Sequence, residues 1–220
     1  MSATHQYFFP CKDLLSPEER IILKKLCDEI SRVGDQLHGG GYEEIADPHF
    51  IAEISKVHEN TTSKNWSGIS EPSMIQSIPE FKQKYLDTIN NIVERYNGDG
   101  WRFLGSRNDE ECIAIHRDPK MGYITNISIP LIPDYAFFRP TNFYTDLNKE
   151  SLIHQANYEV FRSPAILNMR KPHNAGNFFR EHLLGVYNGS SITFQVMFLD
   201  SYDNVKSKFK QKGWLSTTPF

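Results

Sequence analysis

Cysteine is scarce in this chain, three among 220 residues, and Cys11, Cys27 and Cys112 stand far apart. An odd, scattered set is no disulfide framework, and without a C-x-x-C pair it is no zinc cradle. The thiols are expected to be buried or free in a reducing compartment. A basic stretch leading into an apolar run is missing from the start of the chain, so no signal peptide is evident. No window reaches the roughly 20 apolar residues that a membrane span requires. A cytoplasmic protein without membrane contact is the expectation. Basic charge is not in excess either: 24 Lys and Arg face 27 Asp and Glu, for a net charge of −3. That balance leaves no electrostatic footprint for nucleic acid. Nothing in the sequence specifies an oligomeric state.

What is present suits one soluble domain over residues 1–220, long enough to bury an ordinary core. Residues 1–100 read as helical support with loops, 101–200 as a β core and 201–220 as a C-terminal extension. Ser16-Pro17-Glu18-Glu19 is a capping box with proline at the first helical position. Ile22, Leu26, Ile30 and Val33 follow at helical spacing, and Gly34 marks a stop. A second helix begins near Ser77-Ile78-Pro79-Glu80. Its apolar stripe is Phe81, Tyr85, Ile89, Ile92 and Tyr96, and Asn97-Gly98 ends it. Both stripes are packing faces. Gly39-Gly40-Gly41 lacks the G-K-[ST] of a phosphate loop and reads as a turn.

After Gly100 the texture changes to short strands. They are expected at 101–104, 111–116, 123–131, 158–161, 165–169 and 192–198, with a long connection over 132–162. Helices first and strands afterwards predict a mostly β protein with flanking helices (α+β), a sandwich or jelly roll.

The chemistry concentrates in His116-Arg117-Asp118. In an extended strand residues i and i+2 share a side, so His116 and Asp118 converge while Arg117 turns away. A second histidine, His173, also stands at a strand end, within Pro172-His173-Asn174. Two imidazoles and one carboxylate on one face leave open positions on a metal, a ligand set that suits non-haem Fe(II). Each residue has a plainer reading as well: a surface or capping histidine, an aspartate that starts a turn before Pro119, an ordinary strand-end turn.

The run H-x-D, then Asn126-Ile127-Ser128-Ile129-Pro130-Leu131, then Pro164-Ala165-Ile166-Leu167-Asn168 with Pro172-His173-Asn174, resembles the 2-oxoglutarate and Fe(II)-dependent dioxygenase superfamily, its small single-domain members most of all. The resemblance spans about residues 100–200. It implies a double-stranded β-helix (jelly roll) with His116, Asp118 and His173 as iron ligands. It also implies 2-oxoglutarate as cosubstrate with O₂, and hydroxylation of a small or amino-acid-like molecule with release of succinate and CO₂. The related halogenases lack the carboxylate, so Asp118 disfavours halogenation. The family's arginine on the last strand is absent, since serine stands in its place before Thr193. Arg180 is the expected anchor for the distal carboxylate, because a guanidinium forks onto a carboxylate and serine cannot. Arg170, Lys171 and Arg102 are weaker alternatives. Asn126, Tyr123 and Thr193 are expected to contact the cosubstrate, and Phe138, Arg139 and Tyr144 the substrate. Two other readings stay open: a jelly-roll binding domain without turnover, and a cupin-like metalloenzyme that uses the same ligands without 2-oxoglutarate.

Overall fold

A computed structural model describes residues 3–37, 66–69, 83–106, 115, 117, 123–132, 135, 140–175 and 191–216. Nine strands and four α-helices lie within them, most of the strands antiparallel partners in two sheets. The large sheet runs β1 (Phe8–Pro10), β7 (Ala165–Asn168), β4 (Thr125–Ile132), β9 (Ser191–Phe198), β3 (Gly100–Ser106), β2 (Trp66–Ile69). The small sheet runs β6 (Leu152–Ala156), β5 (Thr141–Tyr144), β8 (His173–Ala175). This is a mostly β fold with a few helices, as the sequence pattern predicts.

Three helices cover one face of the large sheet. Helix α1 (Pro17–Leu37) starts on the expected capping box: Glu19 N–H donates to Ser16 Oγ at 3.2 Å, and Ser16 N–H to Glu19 Oε2 at 2.7 Å. It continues past Gly34, because a single glycine costs an α-helix only about 1 kcal/mol. Helix α2 (Gln83–Tyr96) ends where predicted, with Asn97 rather than Gly98 in the left-handed region (φ 56°). Asn97 N–H reaches Glu94 O at 2.9 Å and Gly98 N–H reaches Val93 O at 2.8 Å, the paired bonds of a Schellman cap. Gly98 serves packing instead, since a Cβ there would collide with the Val196 side chain. The expected start of this helix at 77–82, and Gly39 to Gly41, lie outside the described residues.

The last helix, α4 (Tyr202–Gln211), is no loose extension. Tyr202, Val205 and Phe209 join Ile22, Leu23 and Leu26 of α1 and Tyr85, Ile89, Ile92 and Tyr96 of α2 in the main core. From the sheet come Trp101, Phe103, Ile127, Ile129, Leu131, Ile166, Phe194, Val196 and Phe198. These are alternate residues of their strands, so one face of the sheet is apolar throughout. Cys11 and Cys27 are buried in the same core, and burial pushes the Cys11 thiol far up.

The second core lies between the sheets. Phe8, Ala165 and Leu167 of the large sheet meet Phe143 and Ala156 of the small one, with Tyr158, Phe161 and Met169. Phe8 and Phe143 stack with centroids 5.8 Å apart.

Two further expectations fail. Residues 158–161 form a short helix, α3 (Tyr158–Phe161), instead of a strand. The Asn157 side chain accepts from Glu159 N–H at 3.0 Å, and Arg162 closes the turn in a left-handed conformation (φ 51°). Local capping outweighs a four-residue apolar pattern. The supposed long connection over 132–162 contains the hairpin of β5 and β6. Its polar residues hid it, while Asp146, accepting from Asn148 N–H at 2.7 Å, builds the turn.

Candidate active site

The inner face of the large sheet, opposite the helices, holds the residues that the apolar face excludes. On β4 these are Asn126 and Ser128, on β9 Thr193 and Gln195, all at most 7% exposed. Register aligns Arg102 of β3 with Gln195, and Gln195 with Ser128. Arg102 Nε donates to Gln195 Oε1 at 2.5 Å, and Asn126 Nδ2 donates to the same oxygen at 3.4 Å. Ser128 and Thr193 share a hydroxyl bond of 3.1 Å. The Tyr158 phenol also meets Ser128, yet burial pushes it up to about 12. Asn126 Oδ1 is buried and, among the described residues, has no partner. Such an orphan carbonyl costs about 1–3 kcal/mol, so its place in a folded protein calls for a reason.

Across the gap, β8 begins with His173, 4% exposed and beside the inter-sheet Phe143 at 6.1 Å between ring centroids. Its Nδ1 lies 2.8 Å from Lys171 O. A carbonyl only accepts, so Nδ1 carries a proton, and in the neutral form of the ring the lone pair is then on Nε2. Metal-ligating histidines are commonly oriented this way, by a backbone carbonyl on the other nitrogen. Register sets Phe143 opposite both His173 and His154, so the two imidazoles flank it on one face. Burial lowers the His154 pKa, favouring a neutral ring, which tilts against Tyr7 at 5.2 Å.

Of the other expected residues, Thr193 and Asn126 lie on the inner face. Tyr123, 38% exposed, lies over Gly100, where a Cβ would run into its ring, and donates to Asp99 O at 3.3 Å. Tyr144 is buried and points the other way, off the back of the small sheet. Its hydroxyl donates to Asn174 Oδ1 at 3.0 Å, beside the Asn142 bond to the same oxygen at 3.1 Å. His116, Asp118, Arg180, Phe138 and Arg139 lie outside the described residues. Arg117, between two of them, is exposed. Nearby, Tyr135 is pinned by Arg20 and Asp13: its hydroxyl accepts from Arg20 Nη2 at 3.0 Å and donates to Asp13 Oδ2 at 2.7 Å. Among the described residues no three His, Cys, Asp or Glu side chains gather into a metal-binding group.

Sequence reasoning passed over Gln195, Ser128 and the inward direction of Arg102. The signal was there: Ser191-Ile192-Thr193-Phe194-Gln195-Val196 alternates polar and apolar residues in a strand buried on both faces, so the polar set needs an interior use.

No family model matches the chain, and no curated protein matches it. Solved structures similar to it include a non-heme alpha ketoglutarate dependent carbocyclase, SnoK, from nogalamycin biosynthesis. That likeness has 12% identity and a TM-score of 0.45, over 90% of this chain and 81% of that one. A Pseudomonas putida prolyl-4-hydroxylase matches at 9% identity and 0.47, over 88% and 92%. IDO from Bacillus thuringiensis matches at 8% and 0.37, over 78% and 99%. Likenesses this distant establish neither substrate nor reaction. No helix among the described residues is long and apolar enough to cross a membrane.

Proposed function

We propose that the chain is a non-haem Fe(II), 2-oxoglutarate-dependent oxygenase that hydroxylates a small or amino-acid-like molecule. The observation that carries this reading is His173: buried, at the start of β8, with its Nδ1 held on the Lys171 carbonyl, the orientation that ligating histidines commonly have. The chain path supports a jelly roll around it. After β4 in the large sheet the chain passes to β5 and β6 in the small one, returns as β7, crosses again as β8 and ends as β9.

The residues fit the group. His116 and Asp118 would complete the ligand set with His173, two imidazoles and one hard carboxylate. With 2-oxoglutarate and O₂, bound Fe(II) supplies the oxidising power for hydroxylation, with succinate and CO₂ released. Arg180 stays the proposed anchor for the distal carboxylate. Arg102 is a second guanidinium, turned inward and oriented by Gln195. Thr193 and Ser128 offer hydroxyls beside it. Phe143 and Phe8 wall the space with apolar rings that exclude water from the reacting groups.

Anaerobic addition of Fe(II) and 2-oxoglutarate should produce a weak visible charge-transfer band. His173→Ala should abolish it, as should His116→Ala. A band of full strength in either variant overturns the ligand assignment.

A further inference from the structure

The donors and acceptors of the inner face come in a forced order. Arg102 offers only N–H groups, so the Gln195 atom that meets it is the oxygen. That oxygen also takes the Asn126 Nδ2 proton, which turns the Asn126 carbonyl away from Gln195. Rotating the Asn126 amide by half a turn would break this bond and set two carbonyl oxygens against each other. Among the described residues, nothing beside Asn126 in the sheet donates to its oxygen. Leu167 and Met197, its partners across β7 and β9, carry no donor, and the Ser128 hydroxyl is shared with Thr193. Asn126 Oδ1 is therefore an acceptor locked in place, 2% exposed as a residue and unsatisfied.

We infer that Asn126 Oδ1 recognises a hydroxyl or amino group on the small molecule to be oxidised, which makes the substrate a compound bearing a hydrogen-bond donor. The inference rests on the inter-sheet site proposed above. It also reassigns Asn126. The carboxylate and keto oxygens of 2-oxoglutarate are acceptors, and a fixed carbonyl repels them. Asn126 thus discriminates for substrate, while the cosubstrate is held elsewhere in the same space. A site built to receive a donor penalises an analogue lacking it more than an apolar pocket would, because the buried carbonyl is left unpaired.

Calorimetry on the metal-free protein tests this with three matched pairs that differ by one ammonium: alanine and propionate, aspartate and succinate, glutamate and glutarate. At least one amino member should bind about tenfold or more tightly than its partner. In Asn126→Leu that preference should vanish, with the weaker member's affinity unchanged. The variant should melt no lower than the parent, which separates lost recognition from lost folding. It should also keep the band formed by Fe(II) and 2-oxoglutarate. Equal affinities within every pair, as for a carbonyl that holds a fixed water only, overturn the inference. So does binding of none of the six, or a preference that survives in Asn126→Leu. A parent protein without the band would instead defeat the oxygenase reading and leave the pairwise comparison intact.

Discussion

The two faces of the large sheet are built from the same strands and are opposites. On β4 and β9 the residues Ile127, Ile129, Phe194 and Val196 are fully buried against helices. Their neighbours Asn126, Ser128, Thr193 and Gln195 are almost as buried, yet polar. Burial is thus not what separates the faces. The outer face gains by removing apolar area from water, at roughly 25 cal/mol per Å². The inner face pays desolvation for every polar atom and recovers it only through hydrogen bonds, one of which is still unmade.

The sharpest way to break this contrast is to cut each face at one strand. Phe194→Ala on the outer face should cost about 3–5 kcal/mol of unfolding free energy in urea titration, the scale for a buried phenylalanine. Gln195→Leu on the inner face should cost less, about 1–3 kcal/mol, because it strips the acceptor from Arg102 and Asn126 but keeps the volume. If the two losses are equal, the inner face is a packing surface like the outer. Thr193→Val removes only the bond to Ser128 and should cost about 0.5–1.5 kcal/mol by the same titration.

A smaller effect tests the helix side. Arg95 hydrogen-bonds Glu19 through both terminal nitrogens, at 2.8 and 2.5 Å, and holds its carboxyl below the usual carboxylate range. A depressed folded pKa means the pair stabilises the fold fully above the unfolded value and is lost as pH falls through the lower folded value. Melting temperatures recorded from pH 6 down to about pH 3 should therefore fall less steeply in Glu19→Gln than in the parent. The smallest change is expected at Asn126, where Leu should leave stability level or slightly raised, since the lost carbonyl was already unsatisfied.

Much of the frame was legible in the residues. The capping box at Ser16, the stripe of α2 and the alternation of β4 are local patterns, and local hydrogen bonding and amphipathicity act over a few residues. The hairpin of β5 and β6 was not legible, because His154 and Gln155 make a weak period-two signal. Helix α4 was passed over because a ten-residue helix gains its place from Tyr202, Val205 and Phe209 against distant strands. In the site, His173 was picked out as the end of the 165–169 strand, whereas that strand stops at Asn168 and His173 opens β8 in the other sheet. Arg102 was ranked low, because strand β3 meets β9 across a separation of some ninety residues that no local pattern reports.

By itself the amino-acid order determined which residues form strands and helices and which chemical groups are on hand: two imidazoles, a carboxylate, several arginines. Tertiary structure decided their sense. It chose the proton on His173 by bringing the Lys171 carbonyl to Nδ1. It turned the Asn126 carbonyl inward by setting Arg102 on Gln195. A hydrogen bond needs both partners at a set distance and angle, and only the assembled sheets bring together groups that the chain keeps far apart.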